Sequence, residues 1–138
     1  MKHNYLHFFV IISLVLFSHA VLIAQKGPEA KLIGCWEVNK FEFLQPVDDS
    51  LDLIKASKGY ITCFESNGKF ITKQKKGNVE RVIGTGTYQL DADGKTIHQK
   101  RDIEDSTGDD DAEIMILDHE AFVIKVGNVI MHFKRYPG

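Results

Sequence analysis

Several kinds of sequence signal are scarce or absent in this chain of 138 residues. It has no surplus of positive charge, because 19 acidic residues outweigh 17 basic ones, and this argues against nucleic acid as a partner. It contains no Gly-x-Ser-x-Gly, His-Glu-x-x-His or phosphate-loop motif. No segment offers the long helices that a parallel sheet requires. We therefore expect neither an enzyme nor an α/β fold.

The first 24 residues have the pattern of a removable export signal. A basic start at Lys2 precedes an apolar stretch at 6–17, which suits a signal peptide better than a membrane span of about 20 residues. Small residues offer cleavage after Ala20 or after Ala24, and we favour Ala24. An uncleaved anchor is the alternative, because apolar residues continue through 21–23.

Cleavage after Ala24 would leave one domain, residues 25–138, in the periplasm or secreted. It would carry 16 basic and 19 acidic residues, a net charge of −3. The segment 32–35 matches the lipobox of lipidated proteins, but Lys26, Glu29 and Lys31 separate it from the apolar stretch. We therefore expect no lipid anchor, and a membrane contact only through the export signal.

From residue 32 onward, apolar and polar residues alternate with period two, the pattern of β-strands. Turn residues such as Asn67-Gly68 interrupt the alternation. One short helix is predicted over 48–58, between the first two strands, and an acidic loop over 102–111. The predicted strands are 35–44, 60–65, 70–74, 79–90, 95–101, 113–117, 121–126 and 129–135.

A meander of about eight short strands most simply closes on itself, because closure removes exposed edges. We therefore predict an all-β fold, a single antiparallel up-and-down barrel. Trp36 and Val38 stand at even-numbered positions of the first strand, whereas Phe41 and Phe43 stand at odd-numbered ones. In a regular strand the two pairs would point to opposite faces. A bulge near residues 39–40 would turn all four side chains inward.

Four short stretches of the chain resemble a known family. Their order and spacing extend over nearly all of the chain after the leader. They are LIGCWEV at 32–38, FESNGKF at 64–70, GTGTYQL at 84–90 and FKR at 133–135. With the Gly-x-Trp motif at Gly34 and Trp36, they resemble the lipocalin superfamily, and more closely its short bacterial lipocalin-like domains. The resemblance implies a calycin-type barrel, Trp36 across its closed end beside Arg135, and a small apolar ligand at its open end. Cys35 departs from the family, which often has threonine there.

The apolar residues expected to face the barrel interior allow two interpretations, a ligand pocket lined by aromatics or an ordinary packed core. We predict that the barrel binds a small hydrophobic molecule, and the alternative is a fully packed structural or interaction module. The ligand-binding candidates are Phe41, Phe43, Tyr60, Phe64, Phe70, Tyr88 and Phe122. The other inward apolar positions are Trp36, Val38, Leu90, Ile97, Ile114, Ile116, Ile124 and Phe133.

The two cysteines form a candidate disulfide. If Trp36 and Phe64 point inward, Cys35 and Cys63 both point outward on consecutive strands. An oxidising compartment would permit a bond between them, provided that the strand register places them side by side. Two separate thiols are the alternative.

No residue pattern predicts a metal or cofactor. His98, His119 and His132 are scattered, whereas zinc needs three or four ligands in tetrahedral geometry. The acidic run in 102–113 does not match calcium-loop spacing. The inward polar groups, Tyr60, Thr62, Tyr88 and Gln99, are a thin basis for catalysis. Residues 51–54 are interpreted either as a lid over the barrel mouth or as a strap packed outside it.

Overall fold

The structure, a computed structural model, describes residues 27–46, 48, 52–102 and 109–137. Its strands form one closed antiparallel barrel in sequential order, which confirms the predicted fold. The strands are β1 Gly34–Phe43, β2 Tyr60–Phe64, β3 Lys69–Lys76, β4 Val79–Leu90, β5 Thr96–Arg101, β6 Asp109–Leu117, β7 Ala121–Val126 and β8 Val129–Arg135. The helices are α1 Pro28–Leu32 and α2 Leu53–Ala56. The proposed signal peptide at 1–24 lies outside the described residues.

The helix predicted between the first two strands is present as α2, one turn long. Asp52 begins it, because its carboxylate accepts a hydrogen bond from the Lys55 backbone N–H at 2.9 Å. The sequence pattern did not predict α1, which lies before β1. Pro28 opens α1, and proline is favoured in the first turn because it has no N–H to leave unpaired. Within the described residues, no helix is long and apolar enough to cross a membrane.

A bulge in β1 lets both halves of the strand face inward. The register between β1 and β8 shifts between Val38 and Lys40. Val38 and Phe41 consequently both line the barrel interior, although their spacing of three would place them on opposite faces of a regular strand. The parity of the aromatic residues had predicted this irregularity.

A second bulge, in β6, overturns one inward prediction. The pairing of β6 with β7 shifts between Ile114 and Ile116. Ile116 is turned outward and is 49% exposed, while Leu117 packs against the core in its place. β6 also begins at Asp109 rather than at residue 113, so part of the predicted acidic loop is strand. Residues 103–108 of that loop lie outside the described residues.

The packed core occupies one end of the barrel, where α1 closes it. Leu32 of α1 and Trp36 of β1 are fully buried there. The Trp36 and Phe122 rings lie 5.5 Å apart, and Phe64 meets Tyr88 edge to face at 5.0 Å. Such tilted aromatic pairs stabilise a core beyond the apolar area that they bury.

Cys35 and Cys63 are direct cross-strand partners on β1 and β2. Their sulfur atoms are bonded, with an S–S distance of 2.02 Å. This is the first of the two alternatives that the sequence had left open. The bond joins the first two strands of the barrel.

Candidate functional site

The closed end of the barrel is organised around a contact between Trp36 and Arg135. The two residues are paired on β1 and β8, so their side chains share one face of the sheet. The guanidinium carbon of Arg135 lies 3.8 Å from the Trp36 ring centroid, a cation–π distance. The Trp36 indole N–H donates to the Leu32 carbonyl at 2.8 Å. The structure thus places these two motif residues together.

Arg135 also links its own strand, β8, to two other segments of the chain. Its guanidinium donates hydrogen bonds to the carbonyls of Lys31, Ile33 and His119 at 2.8–3.1 Å. Burial lowers the pKa of Arg135, although arginine stays charged in proteins. Gly34 is required beside it, because φ is +119° there and a Cβ would lie 2.5 Å from a guanidinium nitrogen. The motif therefore closes the barrel and holds α1 in place.

Above this core the barrel contains a cavity of about 470 Å³ that reaches the open end. Phe70, Ala112 and Ile124 belong both to the core and to the cavity lining, so they form its floor. The lining as a whole is Val38, Phe41, Leu53, Ser57, Tyr60, Thr62, Phe70, Thr72, Gln99, Arg101, Asp110, Ala112, Ile124, Val126, Val129, Met131 and Phe133.

The seven ligand-binding candidates fall into different layers of the barrel. Phe41, Tyr60 and Phe70 line the cavity. Phe43 is 38% exposed and is not part of the lining. The remaining three candidates, Phe64, Tyr88 and Phe122, lie in the closed-end core. The period of two predicts which way a side chain points but not its depth along the barrel axis, so the pattern did not separate the two layers.

The sequence interpretation did not include several residues that line the cavity, both polar and apolar. Thr72 follows Phe70 with the same parity on β3, and Arg101 follows Gln99 with the same parity on β5. Met131 is paired with Phe41 across β8 and β1. Strand parity alone would have identified these positions.

Few polar interactions occur inside the cavity. The Thr62 and Thr72 hydroxyls are 3.4 Å apart on paired positions of β2 and β3. Arg101 and Asp110 form an ion pair at 3.4 Å, so their charges largely offset each other. Among the described residues, the cavity lining therefore presents no strong net charge to a ligand.

Part of the candidate lid contributes to the cavity. Leu53 of α2 and Ser57 just after it both line the interior. Ile54 is 45% exposed, and Leu51 lies outside the described residues. The described part of this segment thus covers one side of the barrel mouth instead of packing only on the outside.

The three histidines form no common site. His98 lies on the surface, with its two ring nitrogens 2.6 Å from Asp111 and 2.9 Å from Asp91. Hydrogen bonds first to Asp111 and then to Asp91 raise the pKa of His98. The His132 Nε2 atom lies 2.9 Å from a carboxylate oxygen of Glu42. In the described part of the chain, no group of three or more His, Cys, Asp or Glu side chains is placed to hold a metal ion.

Tyr88, one of the inward polar groups, has a structural role. Its hydroxyl donates to the Glu65 carbonyl. Burial, followed by the nearby charges of Glu29 and Glu65, raises the pKa of Tyr88 to about 12. The phenol therefore stays neutral at physiological pH, and it ties β4 to the end of β2.

Comparisons with known proteins identify the architecture. No family model matches the sequence, and no curated protein matches it. Several solved structures do match its fold. An uncharacterized protein from Bacteroides eggerthii DSM 20697 superposes with a TM-score of 0.58 at 12% identity, over 76% of this chain and 99% of that one.

Two further crystal structures give the same result. A lipocalin-like protein from Bacteroides uniformis ATCC 8492 has a TM-score of 0.56 at 14% identity, over 77% of this chain and 99% of that one. A DUF4847 family protein from Bacteroides vulgatus ATCC 8482 has a TM-score of 0.53 at 15% identity, over 80% and 97%. Identities this low establish a shared architecture rather than a shared function. This chain has a lipocalin-like fold.

Proposed function

We propose that this protein binds a small, mainly apolar molecule inside its barrel. The observation that supports the proposal is the cavity of about 470 Å³ above the packed core. Its volume falls within the range of roughly 300–1,000 Å³ that is typical of ligand pockets. A barrel that served only as a packed scaffold would fill this space with side chains, as its closed end does.

We propose binding without catalysis. The polar groups on the cavity wall are hydroxyls, an amide and the Arg101–Asp110 ion pair. General acid–base or nucleophilic chemistry needs a titratable group within reach of a nucleophile or substrate proton. In the described part of the cavity no histidine or cysteine is present, and the one carboxylate there is held by Arg101.

Partly filling the cavity should weaken binding without unfolding the barrel. In Val38→Phe, a larger side chain would occupy space above the floor. We expect affinity for a neutral apolar fluorophore, N-phenyl-1-naphthylamine, to fall by about tenfold or more, equivalent to about 1.4 kcal/mol. Fluorescence titration of the purified protein measures this.

The matched control is Val82→Phe, the same substitution on a side chain that is 54% exposed and outside the cavity lining. It should bind the fluorophore as the unmodified protein does. Equal affinity of Val38→Phe and Val82→Phe would contradict the proposal, because the fluorophore would then bind elsewhere.

We also propose that the protein acts outside the cytoplasm, after removal of residues 1–24. The leader pattern supports this, and so does the Cys35–Cys63 bond, since disulfides persist mainly in oxidising compartments. The bond also uses the thiol that lipidation at Cys35 would need.

Intact-mass measurement on protein from an exporting bacterial host should give a chain starting at Gln25, two daltons lighter than the fully reduced form. A full-length or lipid-modified mass would refute this proposal.

A further inference from the structure

The polar and apolar groups of the cavity lie on opposite sides of the barrel. Strands β7, β8 and β1 are consecutive neighbours in the closed sheet, and every residue that they contribute to the cavity is apolar. We call this arc the apolar wall. Its members are Val38, Phe41, Ile124, Val126, Val129, Met131 and Phe133.

The opposite arc, made by β2, β3 and β5, carries the hydrogen-bonding groups. We call it the polar wall, and it consists of Tyr60, Thr62, Thr72 and Gln99. Strand β4 lies between β3 and β5, and its Gly86 is paired with Phe70 of β3. A Cβ at Gly86 would lie 2.6 Å from the Phe70 ring. The edge of that ring therefore occupies the space beside Gly86, near the floor of the cavity.

Groups on the polar wall are free to bind a ligand. Among the described residues, no hydrogen bond joins the Gln99 amide or the Tyr60 hydroxyl to another protein group, and Tyr60 at the barrel mouth is 36% exposed. The hydroxyls of Thr62 and Thr72 meet each other at 3.4 Å, which engages at most one of their two protons. A hydroxyl also has two acceptor lone pairs, so the pair can still accept and donate.

The ion pair of Arg101 with Asp110 lies beside this wall on β5 and β6. Because its two charges offset each other, it supplies no strong preference for a charged head group. Selectivity inside the barrel therefore depends on where the ligand carries hydrogen-bonding groups along its length.

We propose that the ligand is facially amphiphilic: a rigid molecule with one apolar face and with hydroxyl or carbonyl groups along the other. Its apolar face would lie on the apolar wall, and its polar groups would bond to Thr62, Thr72 and Gln99. A linear amphiphile with a single polar end would leave these groups unpaired, and an unpaired buried polar group is costly. This inference rests on the proposed binding function.

The test compares two steroid acids that share a carboxylate and a ring system. Cholate carries its hydroxyls on one face, whereas 5β-cholanate has none. Calorimetric titration of the unmodified protein should show about tenfold or more tighter binding of cholate, because each matched hydrogen bond adds about 0.5–1.5 kcal/mol. In Thr72→Val/Gln99→Leu, where side-chain size is nearly kept, this preference should disappear.

Met131→Leu, a conservative change on the apolar wall, is the matched control and should keep the preference for cholate. Equal or weaker binding of cholate by the unmodified protein would overturn the inference, and so would an unchanged preference in the folded double variant. If the double variant does not fold, the comparison of the two acids on the unmodified protein decides alone. If N-phenyl-1-naphthylamine binds but cholate does not, facial recognition fails while the binding function stands. If no probe binds, both fail.

Discussion

Replacing Trp36 by alanine should lower the free energy of unfolding by about 3–5 kcal/mol, the usual cost of truncating a buried aromatic. Trp36 is fully buried, packs against Phe122 at 5.5 Å and carries the Arg135 guanidinium on its face. Its removal leaves a cavity at the closed end, and it also takes away the donor that holds the Leu32 carbonyl. Guanidinium unfolding followed by far-UV circular dichroism measures the loss, since the variant has no tryptophan to report by fluorescence.

Phe43→Ala is the matched control for this prediction. Phe43 is also an aromatic residue of β1, but it is 38% exposed at the other end of the strand. Its truncation should cost clearly less, because the Phe43 side chain buries less apolar area than the fully buried Trp36. Equal losses for the two variants would show that Trp36 does not anchor the core.

The second large effect is expected from the disulfide. Replacing both Cys35 and Cys63 by alanine should reduce the free energy of unfolding by about 3–4 kcal/mol, the chain-entropy value for a sequence separation of 28 residues. The bond restricts the unfolded chain more than the folded one, in which the start of β1 is already paired with β2 on both sides of the two cysteines. The same denaturation experiment measures the change.

Chemical reduction provides the control for this second prediction. A thiol reductant should destabilise the unmodified protein by a similar amount, and it should have no effect on the double alanine variant. A reductant effect of equal size on both proteins would point to another cause. No effect on the unmodified protein would show that the bond is absent or contributes nothing to stability.

The sequence determined the class of fold because strand periodicity is local. Alternation and turn residues are read over a few positions, and they placed eight strands close to their observed bounds. Parity within β1 even required the bulge that the structure has between Val38 and Lys40. The motif residues Gly34, Trp36 and Arg135 could be named by resemblance, whereas the carbonyls of Lys31, Ile33 and His119 that Arg135 binds were identified only by the structure.

Only the tertiary structure decided which inward residues pack and which surround space. Phe64 and Tyr60 have the same parity on β2, yet Phe64 lies in the core and Tyr60 lines the cavity. The difference is depth along the barrel axis, which depends on strand tilt and on where α1 closes the barrel. The Ile116 error has a related origin, because the β6 bulge becomes visible only in its pairing with β7.

The same distinction applies to the polarity of the cavity. Strand parity points Thr62, Thr72 and Gln99 inward, together with the apolar residues of β7, β8 and β1, but it does not show which of these side chains lie at the same depth around one cavity. Barrel closure brings the last strands beside the first, and this places the apolar wall across from the polar one. The sequence by itself determined the strands and their inward faces, whereas closure of the sheet determined the shape and the sidedness of the space between them.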